Sequence, residues 1–237
     1  MRDTRLDDVF DGDKVISEVL DRSTVMTLHG MLRRGTISGV NGQVGAGKES
    51  VVFWGGSPGG DVAIKVYLVS TSSFKRRAIY VDGDPRFSRM RRGTRNMVYQ
   101  WAQKEFRNLS RCAAAGIPSP APVGVSRNVL VMGFMGEGGR PHPTLRESEV
   151  GEADYLESLR LLRRLHGAGL VHGDYSEYNI FKAGEGLAVF DMGSAVDLRH
   201  PGAEALLQRD INNITRFFAK RGVDVKDAGG VLGGILG

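Results

Sequence analysis

The chain has 237 residues, 41% hydrophobic and 25% charged, with a formal net charge of +5 and one cysteine. That length suits one substantial core or two joined lobes, and no uninterrupted apolar run approaches the roughly 20 residues of a membrane span. Cys112 alone excludes an internal disulfide, and the charged opening MRDTRLDDVFDGDK excludes a signal peptide. A reducing, cytoplasmic setting is the expectation.

Ser23 is placed to cap a short helix over 24–34, stopped by Gly35. Residues 36–69 read as β-rich, with strands at 51–54 and 62–67 separated by the turn GGSPGGD. Next comes a cationic stretch, Lys75, Arg76, Arg77, Arg86, Arg89, Arg91, Arg92 and Arg95 against Asp82 and Asp84. It is either a solvated loop or a patch for a polyanion such as RNA. The spacing of Val98, Trp101, Ala102, Leu109 and Cys112 predicts a helix over 96–115, closed by Gly116 and Pro118, with Cys112 a small core residue. A strand follows at 129–134, then glycines that suggest a linker. A second helix spans 155–166, short strands alternate with turns over 170–190, and His200-Pro201 opens a last helix carrying Leu206, Leu207, Ile211, Ile214 and Phe217. The tail AGGVLGGILG is expected to fray. Strands with one helix, then a mostly helical half, imply two lobes with a cleft.

"NGQVGAGKESVVFWGG", residues 41–56, nearly spells two phosphate-binding signatures. A P-loop needs Ser or Thr after its lysine and a helix beyond it; Glu49 and a β-branched run stand there instead. A glycine-rich hairpin fits better: Gly45 and Gly47 let backbone approach phosphates, Ser50 replaces the third kinase glycine, Lys48 adds a cation and Val52 ends the pattern. Val62-Ala63-Ile64-Lys65 matches the kinase strand whose lysine holds phosphates. Glu105 interrupts the apolar face of the following helix; a carboxylate turned inward needs a cation, and Lys65 is the expected partner, with the neighbouring Lys104 off that face.

Asp174 and Asn179 have the D-x-x-x-x-N spacing of a catalytic loop, in which the aspartate accepts a proton from the attacking hydroxyl and the asparagine offers oxygen to a metal. Asp191 ends an apolar strand in D-x-G, the place for a carboxylate on Mg²⁺. Five such elements in order point to phosphoryl transfer, with Lys65 and the three later side chains meeting on one magnesium-bound triphosphate. H-G-D replaces H-R-D, so the arginine that grips a phosphorylated activation loop is missing. Residues 192–237 are too few for a full activation segment and peptide-docking helices. His29, His142, His166 and His200 have no metal-ligand spacing.

The motifs GAGKES, VAIKVY, WAQKEFRNL, IPSPAP, VLVMGFMG, HGDYSEYN, FDMGSAV and RDINNITRFF together resemble the RIO family of atypical serine/threonine protein kinases, specifically its type-one subfamily, over about residues 30–223. The segment before Gly35 is too short for the winged helix of the second subfamily. The resemblance implies an α+β, bilobal, protein-kinase-like fold with a β-rich N-lobe and a reduced helical C-lobe. The expected boundaries are a helical segment 1–35, an N-lobe 36–135 with a flexible basic loop 70–95, a C-lobe 136–223 and a glycine-rich tail 224–237. It implies ATP with Mg²⁺ or Mn²⁺, Asp174 as base, Asn179 and Asp191 as metal ligands, and Asp191 as acceptor of a transient phosphoaspartate. Met132 would sit behind the adenine, with backbone of Gly133 and Met135 at its edge. The small ribosomal subunit is the implied partner. Two rival readings stay open: a small-molecule phosphotransferase of the aminoglycoside or choline type, and an ATP-binding pseudokinase.

Overall fold

The computed structural model describes residues 20–69, 80, 93–184 and 186–237, which fall into two compact units. The first holds the described residues up to Leu68 and Val69, those of 93–106, and 121–141; the second holds Tyr80, 107–120 and 142 onward. Of the cationic stretch only Arg95 lies among the described residues, and it is exposed.

The first unit opens with α1 (Arg22–Arg33). Its cap is Asp21, not Ser23: the Asp21 carboxylate accepts from Thr24 N–H at 2.7 Å, and that bond pulls its pKa down. An aspartate one turn ahead satisfies an orphan helix donor and favours the positive helix end, so the helix begins earlier than expected. A five-stranded antiparallel sheet follows in the order β1 (Gly39–Ala46), β2 (Ser50–Ser57), β3 (Gly60–Tyr67), β5 (Val129–Gly133), β4 (Pro122–Ser126). The strand period of two sorts its side chains. Val51, Phe53, Val62, Ile64, Val66, Val129 and Val131 join Leu28, Met31 and Ile37 in one buried core. Each such side chain contributes roughly 1.5–3 kcal/mol. The register pairs Val52 with Lys65, Trp54 with Ala63, and Ala63 with Met132, so these four positions share the opposite face with Lys65.

The glycines after β5 make a hairpin and not a linker. β6 (Gly136–Glu137) pairs with β7 (Arg140–Pro141) through Gly138 and Gly139, at φ 54° and 77°. Two left-handed residues are what a tight two-residue turn needs. A Cβ at Gly139 would come within 2.7 Å of the Trp54 ring, so the turn packs against that indole with no room for a side chain.

α2 (Thr94–Ala114) contributes its residues through Phe106 to the first unit and the rest to the second. Val98, Trp101, Ala102, Leu109 and Cys112 are all buried, as their spacing implies. The second unit adds α3 (Glu152–Gly167), α4 (Ala203–Lys220), and two-stranded ladders of β8 (Leu170–Val171) with β11 (Val196–Asp197) and β9 (Ile180–Ala183) with β10 (Gly186–Val189). The glycine-rich tail does not fray. It forms α5 (Ala228–Leu236), capped by the Asp227 side chain, which accepts from Gly230 N–H at 2.8 Å. Ile235 is buried, and Arg163 Nη2 donates to Gly234 O at 3.0 Å. The cap and that packing offset the roughly 1 kcal/mol that each helical glycine costs.

Candidate active site

In the first unit the β1–β2 hairpin turns through Gly47, Lys48 and Glu49, with Gly47 N–H donating to Ser50 O at 2.8 Å. Gly45 faces Val52 across the ladder. A Cβ added at Gly45 or Gly47 would meet nothing closer than 3.7 Å, and neither has a positive φ. The fold itself therefore does not demand glycine at either position. Bare backbone at both positions leaves room at the hairpin for a phosphate to approach. Lys48 is exposed, and Ser50 and Val52 are half-buried.

Lys65, on β3, is buried, and its Nζ donates to Glu105 Oε1 and Oε2 at 3.0 and 2.9 Å. Glu105 is wholly buried on α2, so the inward carboxylate has the predicted cation. Lys104 differs from expectation. It too is fully buried, with Nζ 5.0 Å from the Trp101 ring centre. The ammonium lying over the face of an indole gains a cation–π attraction, which helps a lysine occupy a buried position. Met132 is 8% exposed on β5. Gly133 N–H is taken by Ala121 O at 2.7 Å, so a base edge could meet Gly133 only through its carbonyl. Met135 N–H has no acceptor among the described residues.

In the second unit, the loop from β8 to β9 carries Asp174 and Asn179. His172 is buried; its Nε2 donates to Phe190 O (3.0 Å) while Nδ1 accepts from Asp174 N–H (3.3 Å). Asn179 Nδ2 donates to the Asp174 carbonyl (2.8 Å) and to Asp174 Oδ2 (3.1 Å). With its nitrogen so engaged, the asparagine turns Oδ1 away, the atom a hard cation takes. Asp174 reaches solvent, yet neighbouring atoms crowd its carboxyl. That partial desolvation raises its pKa above the ordinary aspartate value, and the charge of Asp191 adds to the rise.

Asp191 follows β10 at φ 54°, ψ 58°, one of two non-glycine residues with positive φ among those described. Its side chain does not cap the 3₁₀ turn it precedes, Met192–Ser194. Such a conformation costs on the order of 1 kcal/mol or more and persists only where the surroundings enforce it. Asn108 of α2 does so: buried, it donates through Nδ2 to Met192 O (2.8 Å) and Ala195 O (2.9 Å). Among the described residues no three His, Cys, Asp or Glu side chains cluster for a metal. One carboxylate and one amide suit Mg²⁺, which takes its remaining ligands from phosphates and water.

Asp210 escaped the sequence reading. It is fully buried on α4, where its carboxylate accepts from Gly173 N–H (2.7 Å) and Tyr175 N–H (3.0 Å), the residues flanking Asp174. Arg209 Nη2 donates to Gly173 O and to the Tyr80 hydroxyl. Gly173 itself stands at φ 75°, and a Cβ there would come 2.9 Å from Ser194 O, so no side chain fits between His172 and Asp174. The signal for Asp210 was available: a carboxylate inside the stripe Leu207, Ile211, Ile214 needs buried donors, by the same logic as Glu105.

Known proteins resemble this chain over most of its length. Residues 51–229 match the RIO domain. A Haloferax volcanii protein named RIO-type serine/threonine-protein kinase Rio1 is 40% identical over 214 residues, covering 89% of this chain and 74% of its own length. Human serine/threonine-protein kinase RIO1 is 38% identical over 218 residues, and the chain spans only 38% of that relative. The Rio2 kinase of Chaetomium thermophilum in its ADP/Mg²⁺-phosphoaspartate complex has a TM-score of 0.67 at 22% identity, covering 89% of this chain and 65% of that one. At that identity the likeness concerns the fold.

Proposed function

Because the chain belongs to the RIO family, we propose that it is an ATP-dependent atypical serine/threonine protein kinase with Asp174 as its base. The observation that carries this reading is the loop in which Asp210 holds the backbone on both sides of Asp174 while Asn179 holds its carboxylate. Asp174 takes the proton of a serine or threonine hydroxyl as its oxygen bonds to the γ-phosphorus; the bond to the β-phosphate oxygen breaks and ADP leaves. Lys65, steadied by Glu105, pairs with phosphate oxygens, while Gly45, Gly47, Lys48 and Ser50 lie over them. Asn179 and Asp191 would hold Mg²⁺, which would supply charge neutralisation at the phosphates.

Water or Asp191 as acceptor, giving ATPase turnover through a phosphoaspartate, is part of the same proposal. So is a cytoplasmic role in small ribosomal subunit maturation, supported by the family resemblance and by the cationic stretch from Lys75 to Arg95. The test is to follow labelled γ-phosphate to protein serine, to Asp191, to water, or to an aminoglycoside or choline. Transfer to serine or Asp191 is expected; efficient transfer to the small molecules alone would instead support a small-molecule phosphotransferase.

A further inference from the structure

Beside the loop that joins Asp174 to Asn179, the second unit has a groove of about 530 Å³. Arg146 forms one wall; Arg216, Lys220 and Arg221, from the end of α4 and just beyond, form the other. All four cations are exposed. Among the described residues none of them pairs with a carboxylate within 4 Å. Glu177, from the loop itself, is the one acid on the lining. The walls are tied together: Arg146 N–H donates to Glu177 O (3.1 Å), and Arg221 Nη2 donates to Arg146 O (3.0 Å). The Arg221 guanidinium lies 5.2 Å from the ring centre of Phe217 on the groove's floor.

We propose that this groove binds carboxylate side chains flanking the acceptor hydroxyl, so that the enzyme selects serines and threonines in acidic protein segments. The inference rests on the kinase reading above. Ser176, on the groove, is two residues from Asp174, so at most about 7 Å of chain separates them. A polypeptide whose hydroxyl meets Asp174 therefore passes the groove within a few residues. Four cations against the single Glu177 leave the groove with excess positive charge, which an entering anion relieves, and guanidinium forks take carboxylates in pairs. The volume suits a few side chains.

The test uses the whole chain and labelled peptides with a central serine flanked by acidic, neutral or basic residues. Anisotropy reads binding, and labelled ATP reads transfer. The acidic peptide should bind about 10-fold more tightly than the neutral one, by a margin that shrinks with added salt. The double variant Arg216→Glu/Lys220→Glu should erase that margin, with ATP binding as its folding control. Equal binding of acidic and neutral peptides, or an undiminished margin in the variant, overturns the proposal. So does an RNA oligomer that displaces the acidic peptide from the unaltered protein at lower concentration than unlabelled peptide does. Selective acidic binding without phosphorylation would uphold the groove and refute the kinase reading.

Discussion

Lys65 Nζ sits 2.9 Å from Glu105 Oε2, and both side chains are buried. Removing one member strands the other's charge in the interior, at a cost of about 3–5 kcal/mol. Glu105→Ala should lose that much in urea unfolding and raise the KM for ATP. A loss below about 1 kcal/mol would mean that water reaches the lysine.

Asp210 accepts from two backbone N–H groups around Asp174. Asp210→Ala leaves both buried and unpaired, costing roughly 1–3 kcal/mol each. The loop should then loosen: kcat should fall at least 10-fold while affinity for nucleotide holds. An unchanged kcat in a folded Asp210→Ala protein would remove Asp210 from the positioning role.

Asp191 occupies a left-handed conformation that glycine adopts without strain. Asp191→Gly should therefore melt higher, by the equivalent of about 1 kcal/mol, while losing Mg²⁺-dependent nucleotide binding. A variant that is less stable, or that binds nucleotide with Mg²⁺ as tightly as before, contradicts the assignment.

Two carboxyls have pKa values moved in opposite directions, and both bear on what acid does to the protein. Asp174 is raised by desolvation and by Asp191, so the active ionised form is lost on acidification at a pH above the ordinary aspartate range. Neutralising its neighbour with Asp191→Asn should bring the Asp174 carboxyl titration, followed by ¹³C NMR, down towards 3.8. Asp197 is depressed by its bonds to Arg199 and Arg111. Its stabilising share is whole above the unfolded value of 3.8 and drains away as pH falls below it. Asp197→Asn should flatten the stability profile in that acid window; an unaltered slope would show the pairs to be idle.

Cys112 is buried, which pushes its thiol up to about 11. At pH 8 it should resist alkylation in the folded protein and react promptly in denaturant. Prompt labelling without denaturant would show that this part of α2 opens.

Much of this was legible because side-chain periods are rigid. The two-residue period marks Ile64 for the core and Lys65 for the other face, and the helical period turns Glu105 inward. What escaped depends on partners distant in sequence. Spacing puts Lys104 off the apolar face, and its burial with the ammonium over Trp101 appears only in the fold; Asp210 interrupts an apolar stripe, but its partners, the backbone of Gly173 and Tyr175, lie far away in sequence. The tail failed for a related reason: glycine count argues against a helix, and only packing through Ile235 and the Asp227 cap reverses that. At the Gly136–Pro141 hairpin, composition could not tell a turn seated on Trp54 from a linker.

The most direct test of phosphoryl transfer through Asp174 is the release of labelled γ-phosphate from ATP by Asp174→Ala, with nucleotide affinity measured on the same sample. The account predicts binding within a few-fold of the unaltered chain and transfer slower by about 10²–10⁴. Equal transfer rates in the two proteins, or an unaltered chain that binds ATP and never releases its γ-phosphate, would contradict it.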